Sequence, residues 1–446
     1  MYLLYAGVEI EKLGTPTVMI NTTNFLELAK KSAISVGVGD PPLVVVPHPI
    51  SGIDKDKVDA KVDAVMDKIV HVGTKWAPTV PLPPQPAPYP LERVTLKGTI
   101  KDVNRMFLEK GWTDGLPIIP PTSELVKEML AGTSFKPDEV IGVIMPRKGV
   151  ATVEACAVNA VMAGAKPEHL PVIIAGVRAL LKDGRYGWAQ TTTGCSTYYC
   201  FVQGPIVKEI GMNYSTGAMG PGPGSAVNAV IGRAISMIMR LVGGAYPKPY
   251  GDSMTIIGTP NNYSCAFAEN EDALPRGWNP LRVDLGYKFE DSVVACQIVS
   301  SGQPTYSFNL SAVTAAETLI PLAWHLSYDP AIPGNVLVLL CPEAAARITA
   351  DGFSKEMARQ MIYDNAKIPA YWVTKGPWQA FTKAPPAWLK KEQLDDPNAW
   401  IPSFPSPKAI LITVVGGPGT HSAFIQAGGR PIIEKIMGAT LTKAGR

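Results

Sequence analysis

The stretch AGVEIEKLGTPTVMI, residues 6–20, decides how the chain is read. AGVEIEKLG (6–14) has the length of a short helix closed by Gly14, and GTPTVMI (14–20) is a turn feeding a buried strand. A helix followed by a strand is the second half of a βαβ unit. The alternation continues downstream. TNFLELAKKSAISVG (23–37) opens on a polar cap and carries helical apolar spacing, and PPLVVVPHPISG (41–52) is a continuous apolar strand ending at His48. DKDKVDAKVDAVMDKIVHVG (54–73) predicts one amphipathic helix, with Val58, Val62, Val65, Met66, Ile69 and Val70 on a shared face.

Next comes APTVPLPPQPAPYP (77–90), seven prolines in fourteen residues. Such a segment has few backbone donors and favours extended polyproline II. It reads either as a semi-rigid linker or as a strap lying over its own subunit. Taken as a linker, it divides the chain into a small α/β unit (1–76), the linker (77–92) and a large region (93–446).

The large region also mixes both element types. Residues 149–184 predict two helices broken at Gly164–Pro167. STYYCFVQG (196–204), SVVACQIVS (292–300) and NVLVLLC (335–341) predict buried strands, and SKEMARQMIYDNA (354–366) a capped helix. Residues 372–407, rich in Trp and Pro, predict a long irregular loop. KAILITVVGGPGTHSAF (408–424) predicts a strand, a glycine turn and a last helix. No internal repeat shows in the sequence. The expected class is α/β: a small Rossmann-like half-domain joined to a larger mixed α/β domain.

Bulk properties narrow the function. A net charge of +3 over 446 residues offers no basis for binding nucleic acid or an anionic membrane. Six cysteines are too few for a disulfide scaffold, so a reducing cytoplasm is the default location. The most apolar helix, residues 226–245, is interrupted by Arg233 and Arg240 and reads as a buried helix of a soluble protein. Charged residues make up only 18% of the chain, which suggests a large core or subunit interfaces and hence a homo-oligomer.

VEIEKLGTPTVMINTTNF followed by PPLVVVPHPISG resembles the C-terminal half of the UGSC-type (seleno)proteins, relatives of the selenoprotein subunit of glycine reductase component B. The helix-Gly-x-Pro-strand segment, Thr22 and Thr23, and the VVVPHP strand end carry the resemblance over about residues 6–72. In that family a Sec/Cys-Gly-x-Cys motif precedes the helix that begins here near Ala6. The resemblance therefore places a selenocysteine or its cysteine substitute before Met1. A gene start displaced by an in-frame UGA is one reading; a degenerate domain kept for packing is the other. The large region resembles longer proteins of the same group through GWTDGLPIIPPT (111–122), TVEACAVNAVMAGAKPEHLPV (152–172) and CAFAENED (265–272), without an activity attached.

Several positions carry chemistry on their own residues. Cys195, in the polar turn TTTGCS, is the best candidate for an exposed thiol; a structural cysteine is the plainer reading. Cys341 precedes the helix start Pro342-Glu343, where the helix dipole favours thiolate and Glu343 opposes it. Cys156, Cys265 and Cys296 read as core. His48 and His421 follow apolar strands, where ligands of α/β sheets collect. Gly417 and Gly419 precede His421 in a loop that suits an anion at a following helix N-terminus, with His421 as proton donor. A second loop holds Gly220 and Gly222, with Ser225 as helix cap and Asn228 and Arg233 free to face a carboxylate or phosphate. Asp114, Glu269 and Glu271 are loop carboxylates, candidate acids or bases, for which solvated surface charge is the simpler account. No His/Asp/Glu cluster has metal-ligand spacing.

Together these suggest thiol- or selenol-dependent reductive cleavage of a carbon–heteroatom bond in a small anionic substrate. Cys195 would be the partner thiol and a protein thiol the reductant. The alternatives are a substrate-binding subunit whose catalytic thiol lies in another chain, and a thiol-independent hydrolase or lyase using His421 with a loop carboxylate.

Overall fold

The computed structural model describes residues 7–8, 10–11, 13–35, 38–77, 89–299, 306–309, 314–327, 335–375, 387–426 and 429–440. Ala6, most of the proline-rich segment and residues 376–386 of the Trp/Pro stretch lie outside these residues.

In the N-terminal unit, β1 (Met19–Thr22), α1 (Leu26–Ser35) and β2 (Leu43–Val46) form a βαβ arrangement with the two strands parallel. Met19, Ala29 and Ala33 pack with Val8 from the preceding helical residues. The strand ends at Val46, two residues short of His48. The single helix expected over 54–73 is two, α2 (Lys55–Asp63) and α3 (Met66–Lys75). The break turns the apolar face: Val65 is buried while Met66 and Val70 are exposed.

The large region begins with α4 (Ile100–Lys110), α5 (Ser123–Leu130) and the hairpin β3 (Val140–Ile144)–β4 (Gly149–Thr152). Then follow α6 (Val153–Ala163), α7 (Leu170–Lys182), α8 (Tyr186–Thr191), β5 (Thr197–Gln203), α9 (Ile206–Glu209), α10 (Ala226–Met237), β6 (Ala266–Ala268), α11 (Leu281–Asp284), β7 (Val293–Val299) and β8 (Tyr306–Asn309). The last part holds α12 (Ala315–Ser327), β9 (Val336–Leu340), α13 (Pro342–Ala350), α14 (Lys355–Asn365), β10 (Lys367–Pro369), α15 (Tyr371–Thr374), β11 (Trp400–Pro402), β12 (Ile410–Val414), β13 (His421–Gln426) and β14 (Ile432–Lys435). Within the stretch expected to be irregular, β11 pairs antiparallel with β10.

Two four-stranded sheets, ordered β14-β7-β5-β6 and β12-β9-β13-β8, form the centre. Strands β5, β7, β9 and β12 are buried on both faces, which is why they read as continuous apolar runs. Period-two geometry still sorts the side chains. Tyr198, Cys200 and Val202 face a cluster with α6, α7 and α10, whereas Tyr199 and Phe201 meet Leu337, Leu339 and Leu411 of the other sheet. Val336, Val338 and Leu340 point the opposite way, to α12, α13 and α14. The layers are therefore helix, sheet, sheet, helix. Helix α10, with the turns that flank it, is long and apolar enough to cross a membrane by composition (Pro223–Val242), and most of it is buried here.

Although the sequence shows no repeat, the topology contains one. β5 is central, parallel to β6 and antiparallel to β7. β9 is likewise central, parallel to β12 and antiparallel to β13. Helices separate the parallel strands in both cases, as parallel pairing requires. The fourth strands are exchanged: β8 follows β7 but pairs with β13, and β14 follows β13 but pairs with β7. Each half thus completes the other's sheet. Ending the chain after residue 428 removes β14 and exposes the edge of β7; we expect a loss on the order of 3 kcal/mol. Urea unfolding checks this, and an unchanged midpoint would refute the exchange as a stabilising feature.

Candidate functional site

The carboxyl ends of the two parallel pairs lie together. Past the end of β6, Glu269 donates its N–H to Val202 O of β5 (3.3 Å); past the end of β12, Val415 donates to Leu340 O of β9 (3.0 Å). The Glu269 carboxylate joins the two sheets. It accepts from Thr413 Oγ1 on β12 (2.6 Å) and from the Leu281 N–H at the start of α11 (3.1 Å to each oxygen). Asn270 adds two bonds, its N–H to Val414 O and its Nδ2 to Gly416 O, both 2.8 Å. Burial raises the Glu269 pKa to about 7, against the opposing pull of the Thr413 hydroxyl, the Lys355 charge and the Leu281 amide. Lys355 is itself buried, with Nζ donating to Asn279 O (2.6 Å) and Asp284 Oδ2 (2.7 Å).

This junction brings the two glycine loops into contact. Gly416 N–H donates to Tyr214 O (3.0 Å). A Cβ on Gly417 would lie 2.0 Å from Thr216 Oγ1 and 2.9 Å from Thr216 N, so the loops close on each other only with glycine there. Asn228 holds the first loop from α10: its Nδ2 donates to Asn213 O (2.7 Å) and Ala218 O (2.9 Å), and its Oδ1 accepts from Asn213 N (2.8 Å). Ser225 does not cap α10; its hydroxyl donates to Gly217 O (2.8 Å). Gly220 is half-buried and Gly222 exposed on this loop. Gly419 N–H donates to the Glu343 carboxylate on α13.

Beside the first loop is a cavity of about 680 Å³ whose lining includes Lys208, Tyr214, Ser215, Asn270 and Asp272, and no residue of the second loop. Asp272 accepts from Lys208 Nζ (2.6 Å) and from Tyr214 OH (3.0 Å). Hydrogen bonding to Lys208 lowers the Asp272 pKa, and the same bond raises that of Lys208. None of the ten lining residues is cysteine or histidine. The sequence reading passed over Lys208, Tyr214, Asn270 and Asp272. Their one legible signal is position, on short segments directly after apolar strands.

The other expected positions are placed as follows. His421 is exposed and opens strand β13, opposite Asn309. The helix expected after the glycine turn is a strand, which removes the helix N-terminus from the argument for an anion there. Cys341 does precede a helix, α13, but is buried, with its N–H on Ser422 Oγ (3.0 Å) and the Ser422 hydroxyl 3.4 Å from its sulfur. Cys195 is half-buried in a turn beside Gly194, whose carbonyl accepts from Thr255 Oγ1 (3.0 Å). Cys156 and Cys296 are core, whereas Cys265 is half-buried. Cys200 and Cys296 face each other across β5 and β7 with sulfurs 3.1 Å apart, a pairing their separate strands did not reveal.

Solvated loop charge does not describe the carboxylates. Asp114 takes both guanidinium arms of Arg233 (2.7 and 2.9 Å), so Arg233 is committed to it. Glu271 pairs with the buried Arg282 and accepts from Gly204 N (2.9 Å). Among the described residues no group of three His, Cys, Asp or Glu is disposed to hold a metal.

In the N-terminal unit the residues Thr22, Thr23 and His48 meet at the carboxyl end of the parallel pair. Thr22 Oγ1 is 3.0 Å from His48 Nδ1, Thr23 Oγ1 accepts from His48 N (3.2 Å), and Phe25 stacks edge-on to the ring. Residues 2–75 match the model of the UGSC family. This segment is a UGSC unit. It makes up about one sixth of the chain, and no curated protein or solved structure matches. His48 of the UGSC unit is exposed and does not line the cavity of the large region.

Glu269 makes stability pH-dependent. Its folded pKa of about 7 lies above the ordinary 4.5, so between these values the folded state holds a proton that the unfolded state has lost. Stability then falls as pH rises through this window, by on the order of 3 kcal/mol in all. Glu269→Gln is expected to flatten that slope in urea titrations at pH 5, 6, 7 and 8; an unchanged slope would contradict the assignment.

Proposed function

We propose that the chain takes part in a thiol- or selenol-dependent reduction of a small anionic molecule, and that its large region supplies the binding cavity. One observation carries the binding part. Two glycine loops about 200 residues apart in sequence close on each other at Gly416–Tyr214 and Gly417–Thr216, and the first of them lines a cavity of about 680 Å³. Cavities of this size at the carboxyl ends of parallel strands are common ligand sites. The chemical part rests on the UGSC match over residues 2–75. In this reading a selenolate or thiolate attacks the substrate carbon and the heteroatom leaves with the bonding pair; one thiol of a protein dithiol then attacks the chalcogen, the carbon leaves with the chalcogen–carbon bonding pair and takes up a proton, and the second thiol closes the disulfide and returns the nucleophile.

The composition of the cavity favours a division of labour. With neither cysteine nor histidine among the lining residues, the nucleophile comes from elsewhere, and the large region acts as the substrate-binding part of the assembly. Lys208 is the cation that meets the substrate, and in the free protein Asp272 holds it together with Tyr214. An arriving anion must compete with that carboxylate.

Two substitutions therefore act in opposite directions. Asp272→Asn frees Lys208 and Tyr214 and tightens binding of small carboxylates or phosphate; Lys208→Met weakens it about tenfold, the scale of one charge-assisted hydrogen bond. Calorimetric titration measures both. Prior alkylation with iodoacetamide leaves this affinity intact while stopping turnover supported by a dithiol. Equal affinities in the two variants would remove the cavity from the account, and turnover that survives alkylation would remove the chalcogen.

A further inference from the structure

We propose that the opposite, amino end of β5 carries a second binding site, for a small oxyanion, built on Arg240, Tyr198 and Tyr246. Arg240 sits in a π-helical turn, Ile238–Val242, directly after α10. Such turns insert one residue into a helix and recur at functional sites. Only 7% of Arg240 is exposed, and among the described residues no carboxylate pairs with it. Its Nη1 reaches Ala245 O at a long 3.4 Å, and its buried Nε has no partner.

The groups around this guanidinium are also unspent. The hydroxyls of Tyr198, itself 7% exposed, and of Tyr246 are buried; among the described residues Tyr246 OH has no partner, and Tyr198 OH has only the Ser236 hydroxyl beside it, without good hydrogen-bond geometry. Both phenols interact electrostatically with Arg240 and with each other. Burial pushes the Tyr198 pKa up to about 12 and raises that of Tyr246 as well, so both stay protonated as donors. Ser236, beside Tyr198, spends its own hydroxyl on Asn262 O, while Asn262 Oδ1 is buried and unpaired. Asp114 acts on Tyr246 more strongly than Arg240 does, and Asp114 is itself paired with Arg233.

A buried cation without a counter-ion costs several kcal/mol, and an orphaned hydroxyl adds to that. One oxyanion answers both: two of its oxygens take the guanidinium fork and the remaining lone pairs accept from the phenols. Tyr246 and Asn262 are half-buried, which opens the cluster on their side. A carboxylate and a phosphate group share the required chemistry. The site is separate from the cavity of the proposed substrate, since β5 leads towards that cavity, through Gly204 and α9, at its other end.

The test uses the full chain carrying Lys208→Met, so that binding in the cavity does not contribute. Thermal unfolding and calorimetry are followed while sodium acetate or inorganic phosphate replaces chloride at constant ionic strength. We expect one of the two anions to raise the midpoint saturably, acetate pointing to a carboxylate ligand and phosphate to a phosphoryl group. Adding Tyr198→Phe, which preserves volume, should weaken the effect about tenfold, and adding Arg240→Met should abolish it. No saturable shift with either anion, or a shift unchanged in Tyr198→Phe and Arg240→Met, would overturn the proposal. The Asp272 and Lys208 variants judge the cavity independently.

Discussion

A buried carboxylate between two sheets is the constraint on which the rest of this molecule turns. Glu269 is held from one side by a hydroxyl of β12 and from the other by the amide that starts α11. Burying such a group is unfavourable unless its lone pairs are filled, and the high pKa records how nearly the cost and the compensation balance. The bonds fix the ends of β6 and β12 relative to each other, and Asn270 locks the main chain of the next residues. Because β12 continues into a glycine loop and β6 into Asn270 and Asp272 of the cavity lining, a local hydrogen-bonding requirement bears on the placement of the cavity.

The strand exchange explains why the junction lies between two halves of similar topology. Each half offers a central strand that leads into a helix beginning with proline near its start: Gly204-Pro205 before α9 and Cys341-Pro342 before α13. The halves have diverged in what they place there. On the first side Glu271 reaches Gly204 N and Lys208 lines the cavity; on the second, Ser422 takes the amide of Cys341 and Glu343 secures Gly419. Equivalent strand ends thus differ in their surroundings, one leading to the cavity lining and one bracing the second glycine loop.

Much of this architecture was legible in the sequence where burial made the pattern continuous. The strands around Tyr199, Ala295 and Leu337 stood out as apolar runs, the helix break at Gly164 is present, and Ser354 caps its helix by accepting from Met357 N (3.1 Å). The UGSC resemblance lay in an ordered set of local residues, and these gather at one strand end in the fold. What the sequence hid was decided by distant partners. HSAFIQ is a strand because β8 and β9 flank it, although its residues serve a helix equally well. Asp114 seemed free because Arg233 is 119 residues away, and Glu269 seemed solvated because Thr413 is 144 away. Arg240 looked like a mere interruption of an apolar helix, and only three dimensions show that no carboxylate among the described residues pairs with it.

The central claim is that the meeting point of β6 and β12 is where a small molecule binds. Hydrogen exchange in the presence of saturating small carboxylate or phosphate tests it most directly. The account predicts that amides in residues 211–225, 268–273 and 414–419 slow together. Exchange that slows in only one of these segments, or only within residues 7–75, would contradict it.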